Sequence, residues 1–114
     1  MSFDDEIGID IIETSRFKNK PHDQNRNFYE GIFSTSEIKH CKNFSDPYVH
    51  FAGLFAAKEA IIKLTPKPLK MISIEIVWND HGKPSVKINQ IFSNNIKISI
   101  SHTELYAIGV AISK

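Results

Sequence analysis

Two hydrophobic periods follow each other along the chain and separate a helical part from a strand-rich part. The isoleucines of segment 7–12 alternate with Gly8 and Asp10, and this period of two predicts a first strand. A polar, basic stretch then runs from 14 to about 27. Pro21 interrupts it, which predicts a short helix before the proline and a loop after it.

Two helix starts follow in the middle of the chain. Ser34 and Glu37 have the spacing of a capping box, which predicts a helix that begins there and ends at about residue 42. Asp46 followed by Pro47 has the residue types of an N-cap and a first helical position. This central helix is expected to run to about residue 64, where a nearby proline ends it.

The last third of the chain returns to a period of two. Segments 72–78, 86–88, 96–100 and 105–112 each alternate or run apolar, and the turn residues of 79–82 join the first two as a hairpin. The order of one strand, then helices, then four strands predicts an α+β fold in a single domain spanning 1–114.

Composition limits the function classes more than it selects among them. The chain has 114 residues, 41% hydrophobic and 24% charged, with a net charge of +1, which gives no general argument for nucleic-acid or membrane binding. The single cysteine, Cys41, excludes an internal disulfide and is expected to be a buried apolar residue. The acidic N-terminus does not resemble a signal peptide, and apolar runs fall far short of the ~20 residues that span a bilayer. We therefore expect a soluble, cytoplasmic protein.

Two carboxylates stand at positions where carboxylates are unfavourable. Asp10 interrupts the apolar first strand, and Glu59 shares a helix face with Phe55 and Ile62. An unpaired carboxylate there would cost several kcal/mol unless it is neutralised, paired or bound to a cation. The alternative is local pairing, of Asp10 with a backbone amide and of Glu59 with Lys63. Two carboxylates together favour a metal site, since Mg²⁺ prefers hard oxygen ligands and keeps several waters.

Further candidates carry weaker signals. Lys58 and Lys63 lie beside Glu59 and would add positive charge for phosphates, although most helix lysines are solvated. His102 stands where a strand pattern breaks, in a context suited to phosphate contact or to a turn. The other histidines, at 22, 40, 50 and 81, lack such a context and are interpreted as structural. A local basic patch that could face an acidic partner is formed by Arg16, Lys18, Lys20 and Arg26.

Four segments together resemble the 4'-phosphopantetheinyl transferases, and the short length resembles their stand-alone holo-acyl-carrier-protein synthases. Gly8–Asp10 with Arg16 resembles the first family motif, and Phe55–Lys63 resembles F-A-A-K-E-A-x-x-K. Gly82–Pro84 resembles the G-K-P turn, which is otherwise simply a hairpin turn, and Ser99–Thr103 resembles S-x-S-H-T. The four segments occur in the family order at compatible spacings.

The resemblance implies a fold, a reaction and site residues. The fold is the phosphopantetheinyl transferase α+β fold, and the reaction moves 4'-phosphopantetheine from coenzyme A to a serine of an apo-acyl-carrier protein, releasing 3',5'-ADP. The family's Mg²⁺ ligands correspond to Asp10 and Glu59, which with Lys63 form the implied catalytic set. Coenzyme contacts are implied for Lys58, Lys63, Gly82, Lys83, Pro84, Ser101, His102 and Thr103.

The resemblance also implies partners. Arg16, with the rest of the basic patch, would dock the acidic recognition helix of the carrier protein. The stand-alone members resemble trimers with the coenzyme between subunits, and their role is in fatty acid biosynthesis.

Two features differ from the family pattern. Leu54 stands where an arginine is common, and the loop 65–70 contains no glycine. They motivate an alternative function, a non-catalytic coenzyme A or nucleotide-binding module with the same fold.

Overall fold

The structure is a computed structural model that describes residues 6–114; the acidic residues 1–5 lie outside the described part. It confirms the α+β fold. The loop expected after Pro21 instead contains a 3-10 turn and the short helix Arg26–Glu30, and a second 3-10 turn and a two-residue strand are also additional. In the part described, no helix is long and apolar enough to cross a bilayer. The elements are β1 (Glu6–Glu13), α1 (Ser15–Lys18), a 3-10 turn (His22–Gln24), α2 (Arg26–Glu30), α3 (Thr35–Lys42), α4 (Pro47–Ile62), a 3-10 turn (Met71–Ser73), β2 (Ile74–Trp78), β3 (Pro84–Ile88), β4 (Ile91–Phe92), β5 (Ile96–His102) and β6 (Tyr106–Ser113).

The two predicted helix starts are confirmed by their hydrogen bonds. The Ser34 hydroxyl accepts from the Glu37 backbone N–H at 3.2 Å, and the Glu37 carboxylate accepts from the Ser34 N–H at 2.9 Å. The Asp46 side chain accepts from the Tyr48 N–H at 3.1 Å, with Pro47 as the first residue of α4. These local bonds fix where α3 and α4 begin.

Two three-stranded antiparallel sheets follow from the strand pairing. One has the order β1-β6-β5 and the other β2-β3-β4. In the first sheet Asp10 lies opposite Gly109, and Ile11 lies opposite Ile108. Gly8, Asp10 and Ile12 point to the face that α4 covers, since alternate residues of a strand point to opposite faces.

Helix α4 lies directly on this sheet because two strand residues lack side chains. A Cβ atom at Gly8 would overlap the Ala60 carbonyl oxygen, and one at Gly109 would overlap the Ala57 backbone nitrogen. Any larger residue at these two positions would push α4 away from the sheet. The backbone contact therefore sets the height of α4 above β1 and β6.

An aromatic core holds the segment between β1 and α3 against α4. Phe17, Tyr29 and Phe51 are fully buried and in ring contact with one another. The Tyr29 hydroxyl hydrogen-bonds the carbonyl oxygens of Phe17, at 3.1 Å, and of Lys20, at 2.7 Å. Cys41 is buried as expected, and burial raises the pKa of its thiol, so the thiol stays neutral.

Lys58 is not a surface lysine, and its expected contact with the coenzyme phosphates is wrong. Its ammonium is fully buried, donates to Glu37 Oε1 at 2.6 Å and donates to the Ile32 carbonyl oxygen at 2.7 Å. Glu37 also accepts from the backbone N–H of Ile76 at 2.7 Å. Burial lowers the pKa of Lys58 and the Glu37 carboxylate opposes that shift. The pair joins α3, α4 and β2, which no local spacing could indicate.

Removing one member of this pair tests its structural role. Lys58→Met should lower the free energy of unfolding by ~3–5 kcal/mol, because it leaves a buried carboxylate without its cation. Urea unfolding measures the loss, and the exposed Lys39→Met in α3 serves as the control, with an expected change within about 0.5 kcal/mol. Adding Glu37→Gln to Lys58→Met should recover part of the loss. A loss below about 1 kcal/mol for Lys58→Met would contradict the role.

Candidate active site

The two candidate carboxylates lie at the boundary between α4 and the first sheet. Asp10 points from the middle of β1 toward α4 and its side chain is 21% exposed. Glu59 is partly buried and precedes Ala60, whose carbonyl oxygen lies over Gly8. The close backbone contact thus brings the turn of α4 that carries Glu59 onto the part of the strand that carries Asp10.

Lys63 connects α4 to the strand at the same place. Its ammonium donates to the Ile9 carbonyl oxygen at 2.7 Å and lies 3.5 Å from Asp10 Oδ1. The Glu59–Lys63 ion pair, which the sequence offered as the alternative to a metal site, is not formed, because the Lys63 ammonium contacts β1 instead. Within residues 6–114, the Glu59 carboxylate has no ion-pair or hydrogen-bond partner.

The donor set suits a cation that keeps ligands other than protein. Among residues 6–114, no group of three or more His, Cys, Asp or Glu side chains is placed to hold a metal. Asp10 and Glu59 supply two partly exposed carboxylates. Mg²⁺ is typically held by one or two carboxylates together with waters and substrate phosphates, so these two residues fit it.

His102 lines a pocket that contains two further histidines. Its ring lies 5.0 Å from that of His50, edge to face. His40 stacks on Trp78 at 3.6 Å. We call this cavity of about 370 Å³ the imidazole pocket; its lining residues are His40, Phe44, His50, Gly53, Leu54, Trp78, Gly82, Ile100 and His102.

The neighbours of His102 do not share its position. Ser101 lies opposite Ile108 on the sheet face that points away from α4, whereas His102 lies on the α4 side. The Thr103 hydroxyl accepts from the backbone N–H groups of Leu105, at 3.2 Å, and Tyr106, at 3.1 Å, so it organises the β5–β6 turn. One bound molecule would have to pass the sheet edge to contact both Ser101 and His102.

The G-K-P segment is divided between two cavities. Gly82, with a φ of +77°, lines the imidazole pocket. Lys83 and Pro84 line a neighbouring cavity of about 330 Å³ between the two sheets. Asn79 fixes the turn, since its side-chain oxygen accepts from the N–H groups of His81 and Lys83, both at 2.9 Å.

Sequence reasoning missed His40 and His50 as members of a site. The sequence alone does not join them, because His40 lies on α3, His50 lies on α4, and their ring contacts with Trp78 and His102 connect distant parts of the chain. The one signal available was the spacing of His50 and Leu54 by one helical turn, which puts them on the same face. His22, by contrast, is buried and packs on Tyr29, as a structural histidine should.

The four side chains of the predicted basic patch differ in whether another residue pairs with their positive charge. The Arg16 guanidinium lies 4.8 Å above the ring of Phe55. Phe55 is on α4, one helical turn before Glu59. The Lys18 ammonium lies 3.3 Å from Asp46, so its charge is partly neutralised. Lys20 lies 4.5 Å above the Phe28 ring, and Arg26 is exposed on α2. Arg16 is therefore the member that contacts a residue on the same face of α4 as Glu59.

Comparison with known proteins finds relatives along nearly the whole chain. The family model for the 4'-phosphopantetheinyl transferase superfamily matches residues 6–111. A holo-[acyl-carrier-protein] synthase of Chloroherpeton thalassium is 40% identical over 115 aligned positions, which cover 94% of this chain and 95% of that protein.

Two solved structures share the fold at 30% identity. One is the Bacillus anthracis holo-(acyl-carrier-protein) synthase in complex with CoA (3',5'-ADP), with a TM-score of 0.74 over 94% of this chain and 93% of that one. The other is the Helicobacter pylori enzyme in complex with coenzyme A, with a TM-score of 0.78 over 96% and 100%. The chain belongs to the 4'-phosphopantetheinyl transferase superfamily.

Proposed function

We propose that this protein transfers 4'-phosphopantetheine from coenzyme A to a serine of an apo-acyl-carrier protein, giving holo-carrier protein and 3',5'-ADP. The observation that carries the proposal is that Lys63 contacts Asp10 where the end of α4 crosses the first sheet, with the helical turn that carries Glu59 lying on Gly8 of the same strand. The named activity of the similar enzymes supports it. We propose that the whole chain, 1–114, acts as one transferase domain in the cytoplasm and serves fatty acid biosynthesis.

Asp10 and Glu59 would hold the Mg²⁺ that this chemistry uses. When bound, the ion neutralises phosphate charge and stabilises the leaving group. Lys63 holds Asp10 through the 3.5 Å contact and keeps a positive charge beside it. Because half of the Lys63 side chain is exposed, at 51%, its ammonium is accessible to a phosphate that enters the site.

The transfer forms one phosphorus–oxygen bond and breaks another. The serine hydroxyl oxygen of the carrier protein attacks the β-phosphorus of coenzyme A, and the bond from that phosphorus to the bridging oxygen breaks. The bridging oxygen leaves with 3',5'-ADP. The serine proton goes to Glu59 or to a water held by the carboxylates. Glu59 is a suitable acceptor because none of residues 6–114 pairs with its carboxylate.

The nucleotide end of coenzyme A is proposed to lie toward the imidazole pocket. Gly82 and His102 line that pocket, while Lys83 and Pro84 line the next cavity, so the G-K-P turn would stand along the ligand. Ser101 and Thr103 are proposed to contact the coenzyme at the sheet edge. Lys58 is not among the proposed coenzyme contacts, because its ammonium is buried and paired with Glu37.

A homotrimer is proposed because the outer face of the first sheet is apolar and open. Exposed apolar side chains of β1 and β6 form this face, and a contiguous patch of this kind typically marks an interface. Ser101 lies on the same face, so a neighbouring copy would bring its own surface to a proposed coenzyme contact. The number three comes from the family resemblance. The members of the face are Ile7, Ile9, Ile11, Tyr106 and Ile108.

The alternative, a module that binds coenzyme A without transferring it, is motivated by the imidazole pocket. Leu54, which lines the pocket and is only 2% exposed, replaces the usual arginine, and no Lys or Arg is among the pocket's lining residues.

Incubation of an apo-acyl-carrier protein with this protein, coenzyme A and Mg²⁺ separates the two functions. Intact-mass spectrometry should show the gain of one phosphopantetheine, and EDTA should prevent it. Coenzyme A binding without that gain would favour the module.

Glu59→Gln should reduce the transfer rate by ~10²-fold or more and leave the fold intact, because it removes a metal ligand and a candidate base. Intact-mass kinetics measure the rate, and circular dichroism checks the fold. Glu6→Gln, the same kind of change at the far end of β1, is the matched control and should keep the wild-type rate. Retained transfer in Glu59→Gln would contradict the assigned role.

Ile9→Lys should dissociate the trimer, because it places a charge in the outer face of the first sheet, where Ile9 is 58% exposed. Light scattering with size-exclusion chromatography should give three times the chain mass for the wild type and one chain mass for the variant. Ile91→Lys, on the other sheet and 71% exposed, is the control. A monomeric wild type, or equal dissociation by both variants, would refute this interface.

Arg16→Ala should raise the KM for apo-acyl-carrier protein several-fold and leave coenzyme A affinity unchanged, since surface charge mainly governs encounter with a charged partner. Lys18→Ala should have a smaller effect, because Asp46 already neutralises that lysine. Steady-state kinetics at two salt concentrations provide the test. An equal rise for both variants, or a loss of coenzyme A affinity in Arg16→Ala, would contradict it.

A further inference from the structure

Three imidazoles from three elements converge on one pocket. His40 comes from α3, His50 from α4 and His102 from β5. The His50 ring stacks on Phe44 at 3.6 Å with an interplanar angle of 18°, and His40 stacks on Trp78 at 3.6 Å with an angle of 7°. Stacked aromatic rings can hold a heterocyclic base, and imidazoles can bind an anion.

Two of the three imidazoles stand in surroundings that disfavour their charged form in the free pocket. Burial lowers the pKa of His40. Burial, followed by repulsion from His102 and His40, lowers the pKa of His50, while Asp46 acts in the opposite direction. Asp46 itself is paired with Lys18 at 3.3 Å. Since no Lys, Arg, Asp or Glu is among the pocket's lining residues, its charge depends on protonation of the imidazoles.

The position of the pocket indicates which part of the ligand would reach it. His50 and Glu59 are both on α4, and their separation of nine positions corresponds to about 13.5 Å along the helix axis. A coenzyme whose diphosphate lies near Glu59 would therefore direct its nucleoside, which carries a separate phosphate on the ribose, toward the imidazoles. Leu54, between them on the helix, offers that phosphate no charge.

We propose that His50 and His40 bind the ribose phosphate of the coenzyme in their protonated form, so that nucleotide binding takes up a proton and affinity depends on pH. This inference rests on the proposed function and assigns to two imidazoles the charge that Leu54 lacks. A phosphate dianion beside the rings raises their pKa in the complex above that in the free protein.

The direction of the pH effect follows from that difference. Between the free and the bound pKa, binding takes up a proton, so affinity rises up to about tenfold for each unit that the pH falls. Below about pH 6 the phosphate itself takes a proton and the gain stops. The effect should therefore be greatest between about pH 6 and pH 8.

Calorimetry with 3',5'-ADP tests this directly. Titrations at pH 7 in two buffers of different ionisation enthalpy should show uptake of ~0.5–1 proton per nucleotide bound. Affinity should be higher at pH 6.5 than at pH 8.0. The matched ligand 5'-AMP, which lacks the separate 3'-phosphate of the ribose and keeps the 5'-phosphate, should take up almost none.

Variants assign the proton to the pocket. His50→Phe keeps the ring stack on Phe44 but cannot be protonated; it should reduce proton uptake and weaken binding at pH 6.5 more than at pH 8.0. His50→Gln is the second variant in case the larger ring disturbs folding. His81→Gln, in the exposed β2–β3 turn and outside the pocket lining, is the histidine control and should behave as wild type.

Each outcome decides the inference. Unchanged proton uptake in both His50 variants, or equal uptake with 5'-AMP, would overturn it while binding and transfer at pH 8.0 uphold the proposed function. If neither 3',5'-ADP nor coenzyme A binds the wild type, both proposals fail together.

Discussion

The contact on which the candidate site depends is that of α4 with two glycines of the first sheet. Gly8 and Gly109 let the helix backbone touch β1 and β6, and any Cβ there would overlap the backbone near Ala60 or Ala57. This contact determines how far Glu59 stands from the strand. It also brings the end of α4 low enough for Lys63 to donate to the Ile9 carbonyl oxygen at 2.7 Å. Substrate positioning on this scale underlies most of the catalytic power of phosphoryl transfer.

Local signals in the sequence were sufficient for the elements and insufficient for the fate of individual charges. The cap residues Ser34 and Asp46 predict the starts of α3 and α4, because a cap bonds only to residues of its own helix. Lys58 and Lys63 belong to the same motif and received the same interpretation. They point to different sides of α4, so one is buried against Glu37 and the other reaches the strand. Only the packing of α3 and β2 on α4 distinguishes them.

The imidazole pocket could not be predicted for a related reason. His40 stacks on Trp78 and His50 lies against His102, and each pair brings together residues from distant parts of the chain. A single sequence contains no record of such contacts. Asp10 and Glu59 could be selected as candidates from the sequence, because a carboxylate in an apolar strand or on an apolar helix face is costly wherever its partner lies. A histidine on a helix has no comparable cost, so its role becomes visible only in three dimensions.

The two faces of the first sheet relate the site to assembly. One face is covered by α4 and carries Asp10, while the other exposes isoleucines that a monomer would leave in water. Adjacent residues of β5 divide between these faces, with His102 on the helix side and Ser101 on the open side. A coenzyme that contacts both must lie across the edge of the sheet. A second copy seated on the open face would close that edge, so burial of the isoleucines and completion of the coenzyme site would be one event. If the proposed trimer forms in this way, the activity of the proposed enzyme would be coupled to its assembly.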